Sequence, residues 1–423
     1  MEDILMLAHR IPYPPDKGDK IRSFHLLRRL ARDYRVHLGA FIDDRSDLVH
    51  VDKLSALCAD TCLIGLTPWR ARLRSATGLL TGEALTLPYY RNRRLRAWVR
   101  QVQRSHRLQA VVCFSSAMAQ YLDEVRDGPR RIVDFVDVDS DKWRQYSDTR
   151  RGPMAWLYRR EARTLLAYER AVAAAADASI FVSPNEVALF QRLAPETGAR
   201  LMAIENGVDT DYFDPRGDYA NPYPMPGPVL VFTGAMDYWA NIDAVSWFAN
   251  DVLPGLRRRL PGVCFAIVGA RPDGQVQRLA QLPGVIVTGA VPDVRPYLAH
   301  ARLAVAPLRI ARGIQNKVLE ALAMGRPLLA TPAALAGVEL AADLPVWCAE
   351  TAAAMIDAAC TALDATSAPC ECLRARDWVS VRYGWEAHLD RYTQLVQGPA
   401  SDGLSMPDAA APPSGVYQGN THG

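Results

Sequence analysis

The stretch Leu308-Arg309-Ile310-Ala311-Arg312-Gly313-Ile314-Gln315-Asn316-Lys317-Val318-Leu319-Glu320-Ala321-Leu322-Ala323-Met324-Gly325-Arg326-Pro327 decides how the chain is read. The apolar run Leu303–Ala306 before it predicts a buried strand. Apolar residues at helical spacing over Asn316–Met324 predict a helix, stopped by Gly325 and Pro327. A short loop with Gly313 joins the two. The free amides of a helix N-terminus, with Arg312 and Lys317 beside them, make an anion site. Glu320 follows Lys317 at i+3 on the same face, where its carboxylate suits a sugar diol. Cations for phosphates and a carboxylate for ribose fit a nucleoside diphosphate. The same spacing also fits an ordinary amphipathic helix with a Lys–Glu pair, and spacing alone leaves both readings open.

Outward from this stretch, strand and helix patterns alternate. Strands are predicted at Ile4–Ala8, Val36–Ile42, Cys62–Leu66, Ala110–Phe114, Ile132–Val138, Ser179–Val182 and Leu201–Ile204, with helices over Ile21–Asp33 and Leu48–Ala59. Asn206–Pro228 is dense in Pro, Gly, Asp and Asn and reads as a linker. A second series follows, with strands Val229–Thr233, Val263–Val268, Val285–Thr288 and Leu328–Ala330 and a helix over Ile242–Leu260. The pattern predicts an α/β chain of two parallel-sheet domains with a ligand cleft at their strand ends.

Composition narrows the function. The 423 residues are 49% hydrophobic and 22% charged, enough for two or three cored domains, which excludes a disulfide scaffold or wholesale disorder. Lys+Arg 49 against Asp+Glu 46 leaves +3, too balanced for a nucleic-acid wrapper. The eight cysteines form no CxxC pair, and Cys370-Glu371-Cys372 lacks further ligands at zinc spacing, so no metal or other cofactor is expected. No G-x-G-x-x-G follows a strand, which disfavours a dinucleotide oxidoreductase. The N-terminus does not read as an export signal, and no uncharged apolar run reaches the ~20 residues a bilayer requires. A cytoplasmic chain is expected.

Three N-terminal features carry further chemistry. Gly18 lies in a Pro/Gly loop flanked by Arg10, Lys17 and Lys20, where backbone can approach phosphates; a solvated turn is the plainer reading. Asp137, in the acidic run Asp134–Lys142, can accept a sugar hydroxyl, and a helix-capping role is equally open. Arg93, Arg96, Arg100, Arg104 and Arg107 recur at helical spacing as a basic stripe, with Trp69 upstream among further arginines. That combination suits an anionic membrane surface, although charge runs are commonly solvated faces.

Several stretches together resemble one family. NKVLEALAMGRPLLAT (316–331) is similar to the C-terminal signature of family 4 glycosyltransferases, which have the GT-B fold. PYPPDKGDKIRSFHLLRRL (12–30), IENGVDTDYF (204–213) and FTGAMDYWANIDAV (232–245) resemble its first strand–loop–helix, its domain junction and the opening of its nucleotide-binding half. DFVDVDSDKW (134–143) resembles the sugar transferases of exosortase/PEP-CTERM exopolysaccharide loci. The resemblance implies two Rossmann-like domains facing across a cleft: an acceptor-side domain over 1–206, a linker over 207–228, a nucleotide-sugar-binding domain over 229–375, helices over 376–397 crossing back, and a disordered tail over 398–423.

It also implies retaining sugar transfer from a nucleotide sugar to a lipid-linked or other glycan acceptor, without a metal, at the inner face of the plasma membrane. Glu320 matches the family's ribose-binding glutamate. Gly18, Gly234, Gly313, Ile314, Asn316 and Lys317 fall at donor positions, Arg312, Lys317 and Asp137 at catalytic ones, and Arg93, Arg96, Arg100 and Trp69 on the acceptor and membrane side. The chain departs from the pattern where Arg312 replaces the first motif glutamate and where Ala235–Trp239 lacks the family's Arg and Lys. A nucleotide-sugar 2-epimerase and a catalytically inactive binding partner are the alternatives.

Overall fold

The computed structural model describes residues 1–398 apart from 16–17, 126–127, 149, 312–313 and 366–368. Of the expected tail at 398–423, only Gly398 falls within the described residues.

Two all-parallel sheets organise the chain. The N-terminal one has seven strands in the order β3 (Asp60–Gly65), β2 (Arg35–Ile42), β1 (Asp3–Ala8), β4 (Leu108–Phe114), β5 (Arg130–Val136), β6 (Ala178–Phe181), β7 (Leu201–Ala203). The C-terminal one has six, in the order β10 (Val285–Gly289), β9 (Cys264–Val268), β8 (Val229–Thr233), β11 (Leu303–Ala306), β12 (Leu328–Ala330), β13 (Val346–Cys348). β1 and β8 are buried at every position, because helices cover both sheet faces. In each half the order reverses beside the first strand, between β1 and β4 and between β8 and β11. That switch point is where α/β sheets open a ligand crevice.

The helices used below are α1 (Gly18–Asp33), α2 (Pro68–Ser75), α3 (Thr77–Thr81), α4 (Thr86–Tyr90), α5 (Arg93–Ser105), α6 (Asp139–Asp148), α7 (Pro153–Ala175), α8 (Trp239–Trp247), α9 (Asn316–Ala323), α10 (Pro369–Tyr383) and α11 (Trp385–Gln397). Among the described residues none is long and apolar enough to cross a membrane.

The structure corrects two expected elements and adds one. Leu48–Ala59 is not one helix but a 3-10 turn, Arg45–His50, and a short helix, Val51–Ser55; Leu48 and Val49 stay exposed, so no apolar face holds a longer one. Ile242–Leu260 is interrupted by a π turn over Phe248–Val252, just before Pro254, whose missing N–H and ring disfavour a regular turn. β13 was not expected, being three half-exposed residues at a sheet edge.

The linker is pinned at its start. Val208 N donates to Tyr383 O at 2.7 Å, and a Cβ on Gly207 would meet the Trp385 backbone at 2.8 Å. Helix α10 packs in the C-terminal core through Ala375, Val379 and Tyr383. Helix α11, beyond Gly384, packs in the N-terminal core through Trp385, Leu389, Tyr392 and Val396. A buried polar knot secures it: Asp134, at the end of β5, accepts from Arg22 Nε at 2.8 Å and from Tyr392 OH at 2.6 Å. Arg22 also donates to Asn206 Oδ1 at 3.1 Å.

Breaking this knot should be costly in a graded way. Tyr392→Phe removes one bond and should lower N-terminal domain stability by about 1 kcal/mol. Asp134→Ala strands the buried Arg22 cation and should cost about 3–5 kcal/mol. Urea denaturation followed by far-UV circular dichroism reads both; equal effects would show that Asp134 is not the centre of the knot.

Candidate active site

On the C-terminal side, β8 runs into Gly234 and the loop before α8. Space requires glycine here. A Cβ on the facing Gly269 would come within 1.7 Å of the Gly234 carbonyl oxygen, so the two loops lie backbone against backbone. Buried Asn241, in the first turn of α8, joins this loop to the opposite wall. Its Nδ2 donates to Ala235 O at 2.8 Å, and its Oδ1 accepts from Lys317 Nζ at 3.1 Å. Lys317 Nζ also lies 5.0 Å from the Phe232 ring centroid.

No Lys317–Glu320 ion pair forms among the described residues, so the pair an ordinary solvated helix face would make is absent. Neither side chain makes an ion pair with a described residue. Burial pushes the Glu320 carboxyl up to about 7, against the opposing pull of Lys317. Burial likewise brings the Lys317 amine down to about 8, opposed by Glu320. Helix α9 starts beside them. Gln315 supplies no side-chain cap, and Asn316 Oδ1 is buried without a hydrogen-bond partner. Ile314 packs half-buried against the C-terminal core. Arg312 and Gly313 lie outside the described residues.

On the N-terminal side, a cavity of about 640 Å³ opens at the carboxyl ends of β1, β4 and β5. Tyr89, Tyr90, Trp143 and Tyr158 give it aromatic walls, and His9, Ser115 and Asp137 reach it from the strand ends. Val136, which also lines it, has φ +67°, an outlier for a β-branched residue. Asp137 N bonds back to Phe135 O at 2.9 Å, closing a strained three-residue turn. Asp134 Oδ1 holds the turn by accepting from Val136 N at 3.0 Å.

Asp137 enters the cavity as half of an ion pair. Its Oδ2 accepts from Lys142 Nζ at 2.8 Å, and Lys142 reaches Asp139 at 3.0 Å. Glu161 is buried and satisfied by Leu85 N, Thr86 N and Thr86 Oγ1 at 2.6, 2.9 and 2.7 Å. Glu169 is also buried and accepts from the amide and hydroxyl of Ser140. Burial, then the Asp139 charge, push its carboxyl up to about 8. Gly18 opens α1 with nothing within 4 Å of where a Cβ would stand. The cations expected around it are engaged elsewhere: Arg10 by Asp19 (2.6 Å) and Asp43 (2.9 Å), Lys20 by Asp47 (2.7 Å). Lys17 is outside the described residues.

The basic stripe is answered in part, two of its five arginines sharing one carboxylate. Arg96 and Arg100 both pair with Glu124, the former at 3.0 Å, and Arg107 lies beyond the end of α5. Arg93 stands at the start of α5, whereas Trp69 belongs to α2, at the cavity mouth.

Residues 227–365 match the family described as glycosyl transferases group 1. This is a group 1 glycosyltransferase domain. No curated protein matches the chain. Among solved structures, sucrose-phosphate synthase from Thermosynechococcus elongatus superposes with TM-score 0.66 at 18% identity, over 93% of this chain and 98% of that one. HepE of Anabaena, in complex with UDP and glucose, gives 0.62 at 14% identity over 92% and 98%. WaaG, a glycosyltransferase of lipopolysaccharide biosynthesis, gives 0.58 at 16% over 93% and 100%. At these identities the likeness establishes the fold: the glycosyltransferase domain and its N-terminal partner form a GT-B pair.

Sequence reasoning missed Asn241, Glu161, Glu169 and Lys142. Asn241, Glu161 and Glu169 act through partners 29 or more positions away, and although Asn241 and Lys142 lay in stretches already singled out, nothing local marked either one. Within the glycosyltransferase domain, the raised Glu320 pKa has a stability consequence. Between the ordinary value of 4.5 and about 7 the folded state takes up a proton, so the ionised group weakens the fold increasingly with pH, fully above about 7. Glu320→Gln should therefore raise the melting midpoint at pH 8 by a few degrees, on the order of 1–2 kcal/mol, and leave it unchanged near pH 4. Calorimetry at the two pH values checks this; a gain at both would refute it.

Proposed function

We propose that the chain transfers a sugar, with retention at the anomeric carbon, from a nucleoside diphosphate sugar to a lipid-linked glycan acceptor. The setting is exopolysaccharide or surface polysaccharide synthesis at the inner face of the plasma membrane, of the kind found in exosortase/PEP-CTERM loci. The observation that carries this reading is the trio at the start of α9. Lys317 is aimed by Asn241, Glu320 has no ion pair among the described residues, and Asn316 Oδ1 waits for a donor. A nucleoside diphosphate supplies what each lacks: phosphate for the amine and amides, ribose hydroxyls for the carboxylate. HepE, with the same fold, has been solved with UDP-glucose, which supports a nucleotide-sugar donor.

In transfer, the bond from the anomeric carbon to the diphosphate oxygen breaks and the nucleoside diphosphate leaves with the electron pair. The acceptor hydroxyl oxygen bonds to that carbon on the same face, and its proton passes to the departing diphosphate oxygen. Lys317, Arg312 and the amides of the α9 start, with those near Gly18, take up the developing phosphate charge, so the reading calls on no metal ion. Gly234, Gly313 and Ile314 shape the donor loops. The aromatic cavity of the N-terminal domain takes the acceptor, with Asp137, steadied by Lys142, beside the transferred sugar. The replaced first glutamate, Arg312, keeps one alternative in view: an inactive nucleotide-binding partner.

Thermal melting with UDP, GDP, ADP and dTDP tests the donor site. A nucleotide at 100 times its Kd should add about 2.7 kcal/mol to wild type and nothing to Glu320→Ala. Binding should peak between about pH 7 and 8, where Glu320 is ionised and Lys317 still charged. If no nucleotide shifts the wild type at millimolar concentration, the donor reading fails. A shift without transfer from any matching sugar nucleotide favours the inactive partner.

A further inference from the structure

We infer that the mouth of the N-terminal cavity, formed by α2, α3 and the first turns of α7, is a docking face for an anionic lipid bilayer. The inference rests on the lipid-linked acceptor proposed above and replaces the α5 stripe as the membrane contact. Its first support is exposure. Of the seventeen large hydrophobic residues left exposed among the described residues, seven fall here: Trp69, Leu73, Leu79, Leu80, Met154, Trp156 and, beside them, Tyr146. Leu80 is 90% exposed, Trp156 59% and Trp69 58%.

These residues sit on one rigid rim. Arg160 of α7 donates to Gly78 O at 2.6 Å and Glu83 O at 3.2 Å, locking α7 against α3. Glu161, next along α7, caps the start of α4. Arg74 of α2 donates to Pro88 O and Tyr89 O, both at 2.6 Å. Tyr146 joins through the ring of Tyr158, at 6.4 Å. The rim borders the cavity directly, since Arg72 and Ser75 of α2 and Leu157 and Tyr158 of α7 line it.

The second support is charge. Between Leu66 and Gly82 the sequence holds three arginines and no carboxylate, and residues 150–160 hold four arginines and none. Arg70, Arg72 and Arg159 make no ion pair with a described residue, and Arg70 stacks on Trp69 at 5.1 Å. Apolar tips among unneutralised arginines match the acyl boundary and phosphate layer of an anionic leaflet. A purely apolar partner protein would leave those charges desolvated and unpaired. Docked this way, the cavity faces the bilayer from which a lipid-linked acceptor would enter.

Flotation of the full chain with vesicles containing phosphatidylglycerol, against phosphatidylcholine alone, tests this. The paired changes Leu80→Ser with Trp156→Ser, and Arg70→Ser with Arg159→Ser, are compared with Arg93→Ser plus Arg104→Ser on α5. Wild type should float only with the anionic vesicles. Either rim pair should cut the bound fraction at least about fivefold, and the α5 pair less than about twofold. No flotation of wild type overturns the inference, as does an α5 effect equal to that of the rim. So does light scattering that shows a dimer abolished by the rim changes, which would assign the face to a second copy. The nucleotide melting shift is read on the same preparations. A shift without flotation sinks the docking face alone, and flotation without a shift sinks the donor reading alone. Two independent rim pairs and the wild-type result keep the test decisive if one variant misfolds.

Discussion

Much of the molecule depends on one fully buried carboxylate. Asp134 receives Arg22 from α1, Tyr392 from α11 and the amide of Val136. Through Arg22 it reaches Asn206 at the domain junction. One side chain thus closes the N-terminal sheet against its first helix and fastens the returning C-terminal helix. It also holds the strained turn that carries Asp137 to the cavity wall. An unpaired carboxylate at this depth would carry a heavy desolvation penalty, so its partners are obligatory rather than incidental. The geometry of the N-terminal cavity and the path of the chain between domains therefore share one anchor.

The two halves repeat one strand order, yet they treat charge in opposite ways. In the N-terminal cavity the carboxylates are answered internally: Asp19 by Arg10, Asp137 and Asp139 by Lys142, Glu161 by backbone amides. In the C-terminal crevice, among the described residues, Glu320 and Lys317 make no ion pair and Asn316 Oδ1 no hydrogen bond, and the first two are displaced from their ordinary pKa values by burial. A site that withholds internal compensation is costly to keep folded, and such costs concentrate where a ligand restores the balance.

The sequence disclosed what is local. Continuous apolar runs marked the central strands because both sheet faces are covered, and the exit signature at Gly325 and Pro327 placed the end of α9. It disclosed Lys317 and Glu320 because three residues on a helix fix a shared face. It could not disclose that Lys317 turns to Asn241, 76 positions away, instead of to Glu320. Nor could it show that Glu124 takes up two arginines of the α5 stripe, since the spacing of arginines carries no information about an acid on a neighbouring turn. Periodicity overran at Leu48–Ala59, where Leu54 is buried but Leu48 and Val49 have no surface to bury against.

The contrast in charge also constrains what each half can accept. A cavity whose carboxylates are already paired gains little from a charged ligand, which would have to break those pairs, whereas its aromatic walls favour the flat apolar faces of a neutral sugar. The α9 start is the reverse. Its open amides and its amine attract an anion, and a partly protonated carboxyl can meet hydroxyls as donor or acceptor. A diphosphate bearing a ribose on one side and a neutral hexose on the other spans these requirements. On the proposed reading its charge would stay on the glycosyltransferase domain while the sugar would be offered toward the aromatic cavity. Catalysis would then be mainly placement, one half tethering the leaving group and the other holding the acceptor, with the Asp134 anchor keeping the N-terminal strand ends in register with the junction between the halves.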